Sequence, residues 1–273
     1  MLLLFLFLYS SQVLLGCLRE RSQVSGLTMD ASGSEAFRRQ QMSEVLLGQF
    51  CERKPSVEEF PSLLASTMVE GNFSPEAISD KRVLYEKYKP EEFSALTRSY
   101  AAVWQDLRDF PLPKESVSYT DTWMAKREYG GERRHEGCDL FIEDARPGEY
   151  PVFSMTDGVV EKIGWLPLGG YRLGIRSPHG GYYYYAHLSS YWRDYQPGDE
   201  ITAGDAIGFM GNSGYGEEGT VGKFPVHLHL GIYIQTADQE EVSVNPYWIL
   251  RRKHAEGWTC LPRSVILDYV WNL

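Results

Sequence analysis

Of the chain's 26 glycines, 20 fall between Gly130 and Gly231, while residues 27 to 110 contain only Gly33, Gly48 and Gly71. Glycine weakens a helix interior by about 1 kcal/mol relative to alanine but is at home in tight turns. One chain therefore carries two textures, and Phe110-Pro111-Leu112-Pro113, which halts any helix arriving there, marks the change near residue 112. Before it, a helical region is expected over 27–112. Ser74-Pro75-Glu76 reads as an N-cap, a first-turn proline and an early acid, and Pro90-Glu91-Glu92 opens a second helix in the same way. In that second helix Phe93, Leu96, Tyr100, Val103 and Leu107 recur at steps of three and four, placing one apolar stripe against a partner and turning Arg98 and Asp106 outward.

Over 116–250 the period shortens. Gly158-Val159-Val160-Glu161-Lys162-Ile163, Tyr171-Arg172-Leu173-Gly174-Ile175 and Gly231-Ile232-Tyr233-Ile234 are bounded by glycine turns, the pattern of an antiparallel β domain. Asn245-Pro246 then leads into Tyr247-Trp248-Ile249-Leu250 and a tail over 251–273. The expected class is α+β, a mainly β domain preceded by helices. With 43% hydrophobic residues in 273 the chain can bury a sizeable core, and no internal period marks a repeat protein. A net charge of -10 repels phosphate backbones and excludes nucleic acid as a partner.

Residues 1–18 form an apolar leader. Leu2 to Leu8 together with Val13-Leu14-Leu15 have signal-sequence length, shorter than the ~18 to 20 residues that span a bilayer, so export is expected. Leu14-Leu15-Gly16-Cys17 resembles a lipoprotein cleavage box, and a lipid on Cys17 is the alternative route to a membrane, although nothing before Arg19 is basic. Cys17, Cys51, Cys138 and Cys260 contain no CxxC pair for a thiolate zinc site. Most are expected to be small buried hydrophobes, with Cys51 and Cys260 the candidate bridge.

Four of the six histidines fall in three short stretches of the β region: His135-Glu136-Gly137-Cys138-Asp139, Tyr185-Ala186-His187 and Val226-His227-Leu228-His229-Leu230. In a strand, side chains alternate, so His227 and His229 share one face while Val226, Leu228 and Leu230 pack on the core. If the first stretch is extended, the same parity brings His135 and Asp139 together and sends Cys138 the other way, which makes it a poor ligand. Two imidazoles and one carboxylate are the ligand set of a catalytic zinc with an open position, whereas structural zinc is closed by four residues. Imidazoles near such a metal but not on it can exchange protons with a water or with an oxyanion.

These motifs, HxxxD at His135 and Asp139, a lone His187 after a tyrosine run, and HxH at His227 and His229, stand in that order over about 116–250. They resemble the M23 metallopeptidases, the family of lysostaphin and LytM-type peptidoglycan endopeptidases. The resemblance implies antiparallel sheets of the barrel-sandwich kind with a lysostaphin-like groove. It implies a Zn2+ cofactor on His135, Asp139 and His229, with His187 and His227 acting on the water and the tetrahedral intermediate. It further implies hydrolysis of amide bonds in peptidoglycan stem peptides or cross-bridges, outside the cytoplasm of a bacterium, by a protein secreted or attached to the cell envelope. The alternative is a non-catalytic wall-binding or regulatory module, against which stands the retention of all five polar residues.

Other patterns are weaker. Gly214-Tyr215-Gly216-Glu217-Glu218-Gly219 matches GxGxxG, but Thr220-Val221-Gly222 opens no helix and paired glutamates repel a pyrophosphate, so a rim loop is expected. Gly198 to Asp205 resembles the turn of biotinyl carriers without the carrier lysine and is read as a hairpin scaffold. Tyr182-Tyr183-Tyr184-Tyr185 is read as a strand of strong β propensity, and parity places Tyr183 and Tyr185 on the face of His187, where they either line a groove for an extended peptide or simply pack. That groove is expected to suit small residues, with few cations to hold acidic side chains. His179, His254 and Asn245 are expected at the surface.

Overall fold

The computed structural model of the chain describes residues 1–114, 117–128, 131–238 and 240–254. The leader is one helix, α1 (Leu2–Gln23), longer than the sequence suggested. Its 22 residues rise about 33 Å, enough to cross a bilayer's apolar layer of about 30 Å, a test that a signal sequence also passes. No residue of it is buried. Its last turn meets the helical region through Glu20, which accepts from Lys87 Nζ and Tyr88 Oη at 2.8 Å each.

Serines start the next helices. Ser34 caps α2 (Glu35–Arg38) by accepting from Phe37 N, and Ser43 caps α3 (Glu44–Arg53) by accepting from Leu46 N. After α4 (Glu59–Glu70), Ser74-Pro75-Glu76 starts no helix. The segment is drawn onto α3 and α4, where Gln49 accepts from Ile78 N, Thr67 donates to Ser79 O and Ser66 accepts from Lys81 N. Its backbone is thus satisfied by side chains, and α5 begins only at Arg82 (Arg82–Tyr88). α6 (Pro90–Tyr100) starts as its sequence says, and its whole apolar stripe is buried.

One turn of π-helix, Ala101–Gln105, follows α6 and shifts the helical phase. Asp106, expected to face outward, is instead 4% exposed and accepts from the Ser177 hydroxyl, at 2.5 Å, and from His179 N and Nδ1. Cys51 is disulfide-bonded, Cys17 and Cys138 carry free thiols, and Cys260 and the tail beyond 254 lie outside the described residues.

The strands are β1 (Val117–Ser118), β2 (Lys126–Arg127), β3 (Arg133–Arg134), β4 (Cys138–Ile142), β5 (Pro151–Phe153), β6 (Gly158–Leu166), β7 (Gly170–Arg176), β8 (Tyr182–Tyr191), β9 (Glu200–Ile201), β10 (Ala206–Met210), β11 (Leu228–Gln235) and β12 (Glu241–Val244). β2 and β3 form a small ribbon, and the rest make one antiparallel sheet in the order β1-β4-β11-β8-β7-β6-β9. β12 lies beside β11, and β10 bridges β5 and β8; the sheet does not close into a barrel. β9 lies within the Gly198–Asp205 stretch and joins β6, while the strands that flank the stretch, β8 and β10, pair antiparallel. α7 (Tyr247–His254) is capped by Asn245, whose Oδ1 accepts from Tyr247 N. Asn245 is buried, its amide on Asp121, and half-buried His254 packs on Phe110 and Tyr119, so neither is the surface residue its neighbours in sequence suggested.

A single hydrophobic cluster runs from Phe60, Tyr100 and Trp104 of the helical region into Leu140, Tyr183 and Leu230 of the sheet. The π turn is the seam, because Tyr183 donates to Ala102 O at 3.0 Å. Gly181 permits that approach, since a Cβ there would sit 2.6 Å from the same carbonyl. Asp106→Ala would leave three donors, the buried Ser177 hydroxyl and the N and Nδ1 of His179, without their acceptor, and is expected to lower stability by about 3 kcal/mol in urea unfolding; a loss below about 1 kcal/mol would show that the seam does not depend on it.

Candidate metal centre

Strand pairing assembles the centre. In the β4–β11 ladder Asp139 stands opposite His229, and in the β8–β11 ladder His229 stands opposite Ala186. The neighbours Leu228 and Leu230 point into the core with no exposed surface, which turns His229 to the opposite face. His135 enters from the loop after β3. Its Nε2 lies 3.0 Å from Asp139 Oδ1 and 3.1 Å from His229 Nδ1, and the latter two atoms are 2.9 Å apart.

These three atoms suit a metal. His135 Nδ1 faces both the Thr122 hydroxyl, at 3.0 Å, and Thr122 O, at 3.1 Å; in the tautomer that donates to the carbonyl, Nε2 presents a lone pair to the cluster. A lone pair and a carboxylate converging at such distances call for a cation between them. Ligands on a tetrahedral ion at about 2.0 to 2.1 Å stand about 3.3 Å apart, close to the spacing here. Cys138 is buried on the other side of β4.

His187 and His227 flank the cluster without joining it. The His227 ring is stacked on Phe141, and its Nε2 is 3.7 Å from Asp139 Oδ1. The His187 and His227 ring centres are 4.8 Å apart. Each ring directs Nδ1 at a carbonyl 2.8 Å away, Ser213 O for His187 and Pro225 O for His227, which leaves Nε2 as the free nitrogen. Burial pushes both rings, and that of His229, below the ordinary imidazole value, so His187 and His227 are neutral proton acceptors near pH 7. Burial works to raise the Asp139 carboxyl, but its contacts with His135 and His229 outweigh that and hold it well below the usual carboxylate range. Its other oxygen takes an ion pair from Arg127 at 2.6 Å.

His187 reaches the site by breaking parity. Tyr183 and Tyr185 have no exposed surface and belong to the core, while Tyr182 and Tyr184 line the groove. By alternation His187 would follow Tyr185 inward; instead it adopts φ +61° where the pairing of β8 with β7 and with β10 shifts register. The left-handed conformation turns its ring outward beside Phe224 and Tyr215.

The groove has a volume of about 800 Å³. Its lining includes Arg127, Arg133, Arg134, Lys162 and Arg172, more cations than the segments around His187 suggested. They come from β2, β3, β6 and β7, and only pairing brings them together. The GxGxxG segment is a rim loop with Tyr215 on the groove. Sequence reading also missed Gly137, where a Cβ would lie 2.6 Å from His229 Cε1.

The sequence profile of peptidase family M23 matches residues 133–246. The chain is 43% identical over 161 residues, 59% of its length, to the L-Ala–D-Glu endopeptidase of Bacillus subtilis (strain 168), and spans 48% of that curated relative. It is similar to a crystal structure from Ruminococcus gnavus ATCC 29149 assigned as a glycyl-glycine endopeptidase, LytM, at 42% identity and a TM-score of 0.68. That match takes in 81% of this chain and 91% of the other, a share that residues 133–246 alone cannot fill, so much of the helical region has a counterpart there.

Gly137→Ala would push the His229 ring off the cluster. Its affinity for Zn2+, titrated against a chromogenic chelator, is expected to fall at least about tenfold. Unchanged affinity would mean that the ring need not approach so closely.

Proposed function

Because the chain belongs to peptidase family M23, we propose that it is a zinc-dependent endopeptidase hydrolysing amide bonds in the peptides of peptidoglycan. The observation that carries this reading is the convergence of His135 Nε2, Asp139 Oδ1 and His229 Nδ1 beneath an open groove, with two further imidazoles beside them. When bound there, zinc supplies Lewis acidity and makes water acidic enough to act as a nucleophile at neutral pH. His187 and His227 hold free Nε2 atoms at the edge of the cluster, where they take the proton of the attacking water and return it to the departing amine. Once protonated, the same ring stabilises an adjacent oxyanion. Arg127 and Thr122 fix the orientation of Asp139 and His135.

A peptide bond, not a glycosidic one, fits the lining. Sugar cleavage usually employs two carboxylates facing each other across the bond. The acids that line this groove are Asp139, already within the cluster, Glu241, paired with Arg176 at 2.7 Å, and exposed Glu136. The substrate places the activity outside the cytoplasm, and α1 serves export or anchoring at the membrane, with Cys17 exposed for lipid. The site and the groove are formed by 116–250, and 27–112 supports them.

Digestion of peptidoglycan should release new amino groups and no reducing sugar ends, stop on chelation and resume with zinc. His135→Ala, Asp139→Ala and His229→Ala should lose metal and activity together. His187→Ala and His227→Ala should keep zinc and lose ~10²- to 10⁴-fold in rate. Full zinc without turnover on any wall peptide would favour a binding or regulatory module instead.

A further inference from the structure

Arg172 is the one groove-lining guanidinium on β7, and it meets no carboxylate among the described residues. Its Nη1 is shut off from solvent without a hydrogen-bond partner, an arrangement that costs free energy until an acceptor arrives. The other cations near it are engaged. Arg127 pairs with Asp139, Arg176 with Glu161 and Glu241, and Lys162 Nζ lies 3.6 Å from Glu161. Glu161 and the groove's Glu241 are both held by Arg176.

The floor around Arg172 is built for a ligand. Gly169 and Gly174 lie on either side of it in sequence, and each leaves room for a tyrosine from β8. A Cβ at Gly169 would stand 2.1 Å from Tyr184 Oη, and one at Gly174 would stand 1.9 Å from Tyr182 Oη. The two phenols thus lie across β7 near Arg172, and neither makes a hydrogen bond within the described residues. Burial raises both phenols, Tyr182 to about 12, while the Arg172 charge acts on each in the opposite sense, so both remain hydrogen-bond donors. Tyr184 stands edge-on to His229 with ring centres 5.9 Å apart, and Tyr182 lies one ring further from the metal cluster.

We infer that Arg172, with the hydroxyls of Tyr182 and Tyr184, is a carboxylate-binding subsite that selects peptides bearing a free acid close to the scissile amide. This rests on the endopeptidase reading and narrows its substrate class. At about 3.3 to 3.6 Å per extended residue, the ring spacing puts the acid within two residues of the bond that is cut. The guanidinium fork grips both carboxylate oxygens, and the phenols donate to the same anion. A run of glycines has nothing to offer this subsite, whereas a glutamyl residue in the stem peptide does.

The test compares two synthetic stem peptides that differ only at the α-carboxyl of the D-glutamyl residue, free acid in one and carboxamide in the other. Binding to the zinc-loaded full chain is measured by calorimetry with the His227→Ala variant, whose turnover is slowed ~10²- to 10⁴-fold so that binding is read before the peptide is consumed, and kcat/KM with the wild type. The acid should bind about tenfold to a hundredfold more tightly and be cleaved preferentially by a similar factor. In Arg172→Gln the acid-to-amide ratio should fall toward one, and Arg172→Lys should recover only part of it. Equal binding of acid and amide by the chain carrying Arg172 would overturn the subsite, whatever the turnover. A preference for the acid without any hydrolysis would uphold the subsite and sink the peptidase reading, so the two failures are distinct. The acid and amide comparison needs no variant at Arg172, so it stands even where Arg172→Gln does not fold.

Discussion

The antiparallel ladder that sets β11 between β4 and β8 is the constraint on which the centre depends. It places His229 opposite Asp139 on one side and opposite Ala186 on the other. What holds that register is apolar. Leu228, Leu230, Ile232 and Ile234 alternate into the core with at most 2% of their surface exposed. Burying one such side chain is worth about 1.5 to 3 kcal/mol. A slip of one residue would expose all four and turn both histidines of the HxH motif inward. The side chains of the cluster are therefore positioned by leucines and isoleucines on the opposite face of the strand.

That ladder explains which parts of the site could be read from sequence. His227 and His229 obey strand parity, so their shared face followed from spacing alone, whereas His135 reaches Asp139 from a loop that bends at Gly137 and not along one extended strand. His187 could be named but not oriented, because its φ of +61° breaks the alternation that put Tyr183 and Tyr185 on its face. Asp106 failed for the analogous reason in a helix, where one π turn moves a residue from the outer face to the inner. The groove's cations were illegible because Arg127, Lys162 and Arg172 are distant in sequence and become neighbours through the sheet. Periodicity reports faces within one element, and it is silent about bulges and about which elements meet.

The chain's charge and the groove's charge have opposite signs. The whole sequence carries -10, yet the groove gathers five Lys and Arg side chains against three acids. One of those acids, Asp139, sits among three imidazoles that burial makes reluctant to carry charge. Without a bound cation Asp139 depends on Arg127 and its histidine contacts. A divalent ion bound there would add positive charge where the carboxylate and the imidazole nitrogens converge.

β8 links these features to the helical region. Its inner face is tied down by two hydroxyls, Tyr183 Oη on the π turn and Tyr185 Oη on Met155 N. Its outer face carries Tyr182 and Tyr184 into the groove. Such a strand, clamped on the core side and paired along both edges, can sustain the left-handed residue at His187, a conformation that costs a residue with a side chain about 1 to 3 kcal/mol. Ser213 secures the result twice, since its carbonyl accepts from the His187 ring and its hydroxyl donates to Leu188 O. The helices thus act on the site at second hand: by holding Tyr183 they fix the strand, and the fixed strand holds one imidazole in an orientation that strand geometry alone would refuse.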